Sequence, residues 1–81
     1  MNEIFLIGQV ISKIEYKFVV NSKKLFSKAT FKIKVQNQEI KIKGYNEIAD
    51  LCYRKLKEGS IIIMNGKIET DGEIAIKQLD M

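Results

Sequence analysis

The chain has 81 residues, 46% of them apolar and 30% charged, with 14 Lys and Arg against 10 Asp and Glu, and neither His nor Pro. Such a length suits a single small domain over residues 1–81 and excludes most multidomain enzymes, since a second domain would have too little interior to hold itself together. The formal net charge of +4 is compatible with a polyanionic partner but too mild to establish one, and the one cysteine, Cys52, leaves no intramolecular disulfide and reads as a small buried hydrophobe.

Taken in chain order, Ile4, Phe5, Leu6, Ile7, Val10, Ile11 and Ile14 form an apolar run broken at Gly8, which predicts a long, bent first strand. Residues 15–20 continue it in extended character until Asn21-Ser22-Lys23-Lys24 supplies a polar turn and a loop. From Ala29 to Val35 the alternation is strict, with Ala29, Phe31, Ile33 and Val35 on one face and Lys28, Thr30, Lys32 and Lys34 on the other. Beyond the turn-like Gln36-Asn37-Gln38 the alternation returns over residues 39–44, placing Ile40 and Ile42 inward and Lys41 and Lys43 outward, so these two strands predict a hairpin. Asn46 as a cap, Glu47 and Asp50 in the first turns, Arg54, Lys55 and Lys57 near the end and Gly59 as the stop predict a helix with an apolar stripe of Ile48, Leu51, Cys52 and Leu56. The β-branched segment Ile61 to Ile68 and, past Thr70-Asp71-Gly72, the segment Glu73 to Lys77 predict a final hairpin. Three strands, one helix between strands three and four, then two strands is the element order of an all-β, five-stranded OB-fold barrel.

Within this pattern, Met1-Asn2-Glu3-Ile4-Phe5-Leu6-Ile7-Gly8 resembles the opening strand of the bacterial single-stranded DNA-binding protein family. The stretch Gly44-Tyr45-Asn46-Glu47-Ile48-Ala49 through Lys57-Glu58-Gly59-Ser60 to Gly66 resembles that family's helix and following strand. Nearly the whole chain is covered, and the small primosomal replication protein B relatives are similar too. The resemblance implies single-stranded DNA as the ligand, pairing of first strands in a homodimer or homotetramer, and replication proteins as partners. Departures accompany it: the chain has no Trp, and Asn37, Gln38, Lys43, Lys67, Glu69 and Thr70 stand where the family carries base-stacking aromatics. The family's long loops are shortened, and its acidic C-terminal tail is expected to be missing, since the sequence ends at Asp80-Met81.

Charge is divided unevenly along the chain. Residues 10–45 carry nine lysines against Glu15 and Glu39, a balance of +7, whereas residues 46–81 carry five bases against seven acids. Lys28, Lys32, Lys34, Lys41 and Lys43 are placed by the strand period on one outward sheet face, with Lys17 nearby, and that is the face on which OB-folds hold oligonucleotides. The competing reading is a solvated face whose lysines discourage edge-to-edge aggregation. With 13 lysines and one arginine, the chain lacks the residue best suited to bidentate base reading, so sequence-specific recognition is not expected. Aromatic candidates for stacking are Tyr16, Phe18, Phe26 and Tyr45, with core packing or loop anchoring as the alternative for each; Tyr45 and Phe26 join the lysines as predicted binding residues.

Two strands are apolar on both faces, Ile4 to Ile7 and Ile61 to Met64, although a small barrel has only one interior. Phe5, Ile7, Ile61 and Ile63 are therefore candidate oligomer contacts, unless the chain's own helix and loops cover them. No run of about 18 apolar residues exists, and Glu3 precedes Ile4-Phe5-Leu6-Ile7 where a signal peptide needs a base, so a soluble cytoplasmic protein without a membrane partner is expected. Catalysis has little support: there is no His, the lone Cys has no base, no glycine-rich phosphate loop occurs, and neither cofactor nor metal site is predicted. The sequence thus predicts a non-sequence-specific single-stranded DNA-binding protein serving replication, recombination or transfer, on a chromosome or a mobile element. Its alternative is an OB-fold protein-interaction module, and RNA fits the same basic barrel.

Overall fold

The structure, a computed structural model, describes residues 3–80; Met1 and Asn2 of the family-like opening motif and the terminal Met81 lie outside the described residues. Six strands and one helix follow in the order β1 (Glu3–Val10), β2 (Glu15–Asn21), β3 (Lys24–Val35), β4 (Gln38–Tyr45), α1 (Glu47–Lys55), β5 (Ile61–Ile68) and β6 (Ile74–Asp80). Hydrogen-bonded neighbours run β1-β5-β6-β4-β3-β2, and an additional β1–β3 pairing closes β1, β5, β6, β4 and β3 into a five-stranded barrel. All pairings are antiparallel except β4–β6, which is parallel at Ile42↔Ile74 and Lys43↔Ala75.

The OB-fold expectation holds, with one correction to the position of the helix: it follows the fourth strand, not the third. The reason lies at residues 11–14. Gln9 pairs with Lys34 and Val10 with Ile33, and on the far side of the break Glu15 pairs with Thr30, so the chain continues along the same β3 partner after slipping its register by two. The break is stitched by Ile11 N donating to Lys32 O at 2.9 Å and by Lys32 N donating to Ser12 Oγ at 2.8 Å. One bent strand is thereby divided into β1 and β2 by a bulge. The loop expected after Asn21 is also absent. Ser22 and Lys23 both adopt positive φ, 51° and 67°, which closes β2 onto β3 through a two-residue hairpin turn and makes residues 24–28 strand.

Alternation carries through to packing. Val10, Ala29, Ile33, Ile42, Ile62 and Met64 are essentially inaccessible, and Leu6, Phe31, Ile74 and Ile76 complete the barrel interior. At the barrel seam Gly8 lies against β3, where a Cβ would meet Lys34 O at 3.0 Å, so a side chain there would push β1 away from β3. Helix α1 plugs one end of the barrel through buried Ala49 and Cys52, with Leu56 buried just past its last turn. Burial pushes the Cys52 thiol up to about 11, which leaves it protonated and unreactive at neutral pH. Asn46 precedes the helix as expected, yet its side chain makes no capping bond; at φ 57° its backbone N–H donates to Ser27 O at 2.9 Å while its carbonyl receives Ser27 Oγ at 3.2 Å. No helix among the described residues is long and apolar enough to cross a membrane.

Candidate nucleic-acid interface

Side chains of directly paired residues share a face, so the β2–β3 and β3–β4 registers fix which groups meet. The outward face of this sheet carries Glu15, Lys17 and Val19 from β2, Phe26, Lys28, Thr30, Lys32 and Lys34 from β3, and Glu39, Lys41, Lys43 and Tyr45 from β4. Two lysine pairs stand directly opposite each other, Lys17 against Lys28 and Lys32 against Lys41. Like charges in that relation destabilise a sheet, by the same few tenths to about 1 kcal/mol that opposite charges contribute. Lys17, Lys28, Lys32 and Lys34 take part in no ion pair among the described residues. This face therefore holds uncompensated positive charge at an energetic cost to the fold.

Beside the Lys32–Lys41 pair lies a depression of about 270 Å³ lined also by Ser12, Glu15 and Thr30. Ser12 reaches it because of the bulge between β1 and β2, a feature with no signature in the local hydrophobic pattern. Along the sheet, Tyr45 is paired with Lys28, whose Nζ sits 5.8 Å from the Tyr45 ring centroid. Phe26 meets the same ring edge-to-face, with centroids 5.8 Å apart. Both rings are half-buried, so they form a short aromatic platform that ends the lysine stripe.

Three expectations are altered by the geometry. Tyr16 and Phe18, named as stacking candidates, face the opposite side of the β2–β3 hairpin: Tyr16 stacks on Tyr53 of α1 at 4.7 Å, donates its hydroxyl to Asp50, and is met edge-on by Phe18. Lys43 does project from the lysine face, but it is only 6% exposed. The β5–β6 turn folds over it, and its Nζ lies 3.0 Å from Asp71, 3.9 Å from Glu69 and 3.9 Å from Glu73. Burial alone would lower its pKa, but the hydrogen bond to Asp71 and the neighbouring carboxylates outweigh it and hold the group above its ordinary 10.5. Lys43 is therefore an internally neutralised cation and not an open contact, and Lys41 is partly engaged by Glu73 at 3.4 Å. The acids at and beside Thr70-Asp71-Gly72 thus have a partner in β4.

On the far side of the barrel, Phe5, Ile7, Ile61 and Ile63 remain 61%, 54%, 62% and 37% exposed, with Ile7 and Ile63 directly paired. Neither the helix nor a loop of the described chain covers them. The neighbouring edge of β1 is also unpaired among the described residues from Glu3 to Ile7, since β1 pairs with β3 only at Gln9 and Val10.

Compared by sequence, the chain matches no protein-family model and no curated protein. By structure it is similar to the SSB domain of a Synechococcus protein, with a TM-score of 0.80 and 11% identity over 100% of this chain and 96% of that one. It is similar as well to the second OB-fold domain of replication protein A from Methanococcus maripaludis, with a TM-score of 0.77 and 20% identity over 95% of this chain and 80% of that one. A mitochondrial single-stranded DNA binding protein from S. cerevisiae matches with a TM-score of 0.69 and 12% identity, over 96% and 90% of the two chains. At these identities the likeness is one of fold. Together with the closed five-stranded barrel and its single helix, it establishes that this chain adopts an OB-fold of the form seen in SSB domains.

Proposed function

We propose that this chain, as one OB-fold domain, binds single-stranded DNA without strong sequence preference, through the outward face of β2, β3 and β4. The observation that carries the reading is the pair of directly opposed lysine couples on that face, Lys17–Lys28 and Lys32–Lys41, of which only Lys41 has an acidic partner among the described residues. A polyanion laid across them removes the repulsion built into the sheet and releases its own counterions, which drives binding and makes it fall with salt. Lys34 extends the track, and the Phe26–Tyr45 platform offers a base-stacking surface at its end. Stacking contributes roughly 1–3 kcal/mol per base and tolerates any base, in keeping with a face that has no arginine to read one. Three structural relatives are named as single-stranded DNA-binding or replication proteins, which supports this ligand and a role in replication. The open β1 edge and the exposed Phe5, Ile7, Ile61 and Ile63 support self-association of the chain through that surface.

A second reading, an OB-fold module that docks a protein, draws on the polar, exposed Asn37 and Gln38 at the β3–β4 turn, where the resembling family places stacking aromatics. Fluorescence anisotropy separates the two, using a labelled thymidine oligomer of about 30 nucleotides, longer than the site of one OB-fold, with a matched duplex as competitor. The proposed function predicts single-strand binding that the duplex does not displace. Absence of binding to either in dilute salt contradicts it and leaves the protein-docking reading.

A further inference from the structure

The β5–β6 turn is ordered by its own backbone. Glu69 N donates to Glu73 O at 2.8 Å, Gly72 N to Glu69 O at 3.0 Å, and Glu73 N to Asp71 Oδ1 at 2.9 Å, with Gly72 at φ 85° completing the reversal. This arrangement projects three carboxylates from one short turn, and all three converge on the lysine face: Glu69, Asp71 and Glu73 surround Lys43, and Glu73 also reaches Lys41. Three acids against two lysines leave this corner of a basic face with an excess of negative charge. Lys43 sits in the outward row of β4 between Lys41, opposite Lys32, and Tyr45, opposite Lys28. Its position is thus in the middle of the track, where a strand phosphate would otherwise be held.

We propose that the acidic β5–β6 turn is an internal competitor for the nucleic-acid strand, a set of carboxylates occupying the place of a phosphate on β4. It neutralises Lys43, weakens Lys41, and repels any strand that crosses from β4 toward β5 and β6. The strand is thereby directed along β3, from Lys34 and Lys32 past Lys28 to Phe26 and Tyr45, and its affinity is held below what the lysines alone would give. This rests on the single-strand reading above, and it assigns Glu69 and Glu73 a role as determinants of path and affinity.

The test uses Glu73→Gln and the double variant Glu69→Gln/Glu73→Gln, leaving Asp71 in place because it orders the turn and holds Lys43. Glu58→Gln, in the exposed segment after α1, matches the charge change away from the face. Thermal melts confirm that each variant is folded. Anisotropy with the thymidine oligomer is expected to show binding tightened about tenfold in the double variant at moderate salt, with the log–log salt slope steeper by about 0.7 for each lysine released. Glu58→Gln is expected to change little. Lys41→Gln, at the lysine that Glu73→Gln frees while Asp71 still holds Lys43, is expected to cancel much of the gain in the double variant. If the double variant binds no better than Glu58→Gln, or if adding Lys41→Gln leaves its gain intact, the competitor role is overturned while single-strand binding stands. Should the parent chain fail to bind and the double variant bind, the competition stands while the function proposed for the parent chain is overturned. Failure of every variant to bind overturns both proposals.

Discussion

Replacing Lys32 by Glu should move stability and binding in opposite directions. Lys32 stands directly across from Lys41 with no acid of its own, and its backbone is anchored independently, its N–H on Ser12 Oγ and its carbonyl on Ile11 N. Charge reversal therefore leaves the strand pairing intact and converts a repulsive cross-strand pair into an attractive one. Such a pair contributes roughly 0.2–1 kcal/mol on a sheet surface, tempered here because Glu15 lines the same depression as Lys32 and Lys41. For a domain of this size about 0.5 kcal/mol corresponds to a rise in Tm of roughly 2–4 °C. Binding responds the other way. One phosphate contact is lost and a repulsive group takes its place, which should weaken single-strand binding at least about tenfold and flatten the log–log salt slope by about 0.7 or more. Paired melting curves and anisotropy titrations on the same preparation read both effects. A variant that melts at or above the parent temperature yet binds undiminished would refute the assignment of this face, and a strongly destabilised one would refute the account of its electrostatics.

Four further outcomes follow from the same structure. Tyr45→Ala removes half of the aromatic platform and should weaken single-strand binding by roughly tenfold at a slope unchanged by salt, since stacking releases no counterion. Ile7→Asp places a charge at the centre of the exposed β1–β5 surface, opposite Ile63, and sedimentation velocity should show the self-association proposed for the parent chain lost to monomer. Gly66→Ala brings a Cβ to 2.6 Å from Ile74 Cγ2 and 2.8 Å from the backbone oxygen of Ala75, an overpacking that should cost about 1–3 kcal/mol and be visible as a lower urea midpoint. Acid should destabilise the fold through three carboxyls. Lys77 holds Glu3 below its ordinary 4.5, the hydroxyls of Tyr16 and Ser27 hold Asp50 below 3.8, and the Glu73 N–H with Lys43 holds Asp71 below 3.8. A depressed folded-state pKa contributes stability that is complete above the unfolded value and lost as pH falls through the folded one, so Tm should be level above about pH 5 and decline below about pH 4. A melt profile that instead improves on acidification would contradict these pairings.

Much of the barrel is legible in the sequence because it is local. The Ala29 to Val35 alternation fixes which side of β3 faces inward, and the apolar spacing of Ile48, Cys52 and Leu56 with flanking charges of the right sign marks the helix. What escapes local reading depends on partners distant in sequence. The division of the first strand at residues 11–14 arises from Ser12 and Ile11 bonding to Lys32, twenty residues away, where apolar periodicity gives no hint of a register slip. Residues 24–28 look like loop because Lys23, Lys24 and Ser27 are polar, yet a two-residue turn at Ser22 and Lys23 commits them to pairing with β2.

The site shows the same division. The period of two correctly sends Lys28, Lys32, Lys34, Lys41 and Lys43 outward, but outward on a strand is not the same as open to solvent. The parallel β4–β6 pairing carries the acidic turn onto Lys43, a contact between residues 28 apart in sequence. Acids at every second position, 69, 71 and 73, were the available signal, since three carboxylates at one tight turn repel one another and gain from a nearby cation. Likewise Tyr16 and Phe18 belong to the opposite face because Tyr16 pairs with the buried Ala29, which places both rings on the helix side of the hairpin.

The account's central claim, that phosphates are held by the exposed lysines of β2, β3 and β4, is tested most directly by the salt dependence of single-strand binding in the unaltered chain. With Lys17, Lys28, Lys32 and Lys34 engaged, Lys41 held in part by Glu73 and Lys43 masked, about four phosphates are neutralised, giving a log–log slope of about −3 and a loss of roughly 50-fold between about 50 and 200 mM salt. Such a slope, with the thymidine oligomer preferred to duplex, is the predicted result. Binding indifferent to salt, or absent at the lower concentration, would contradict the claim.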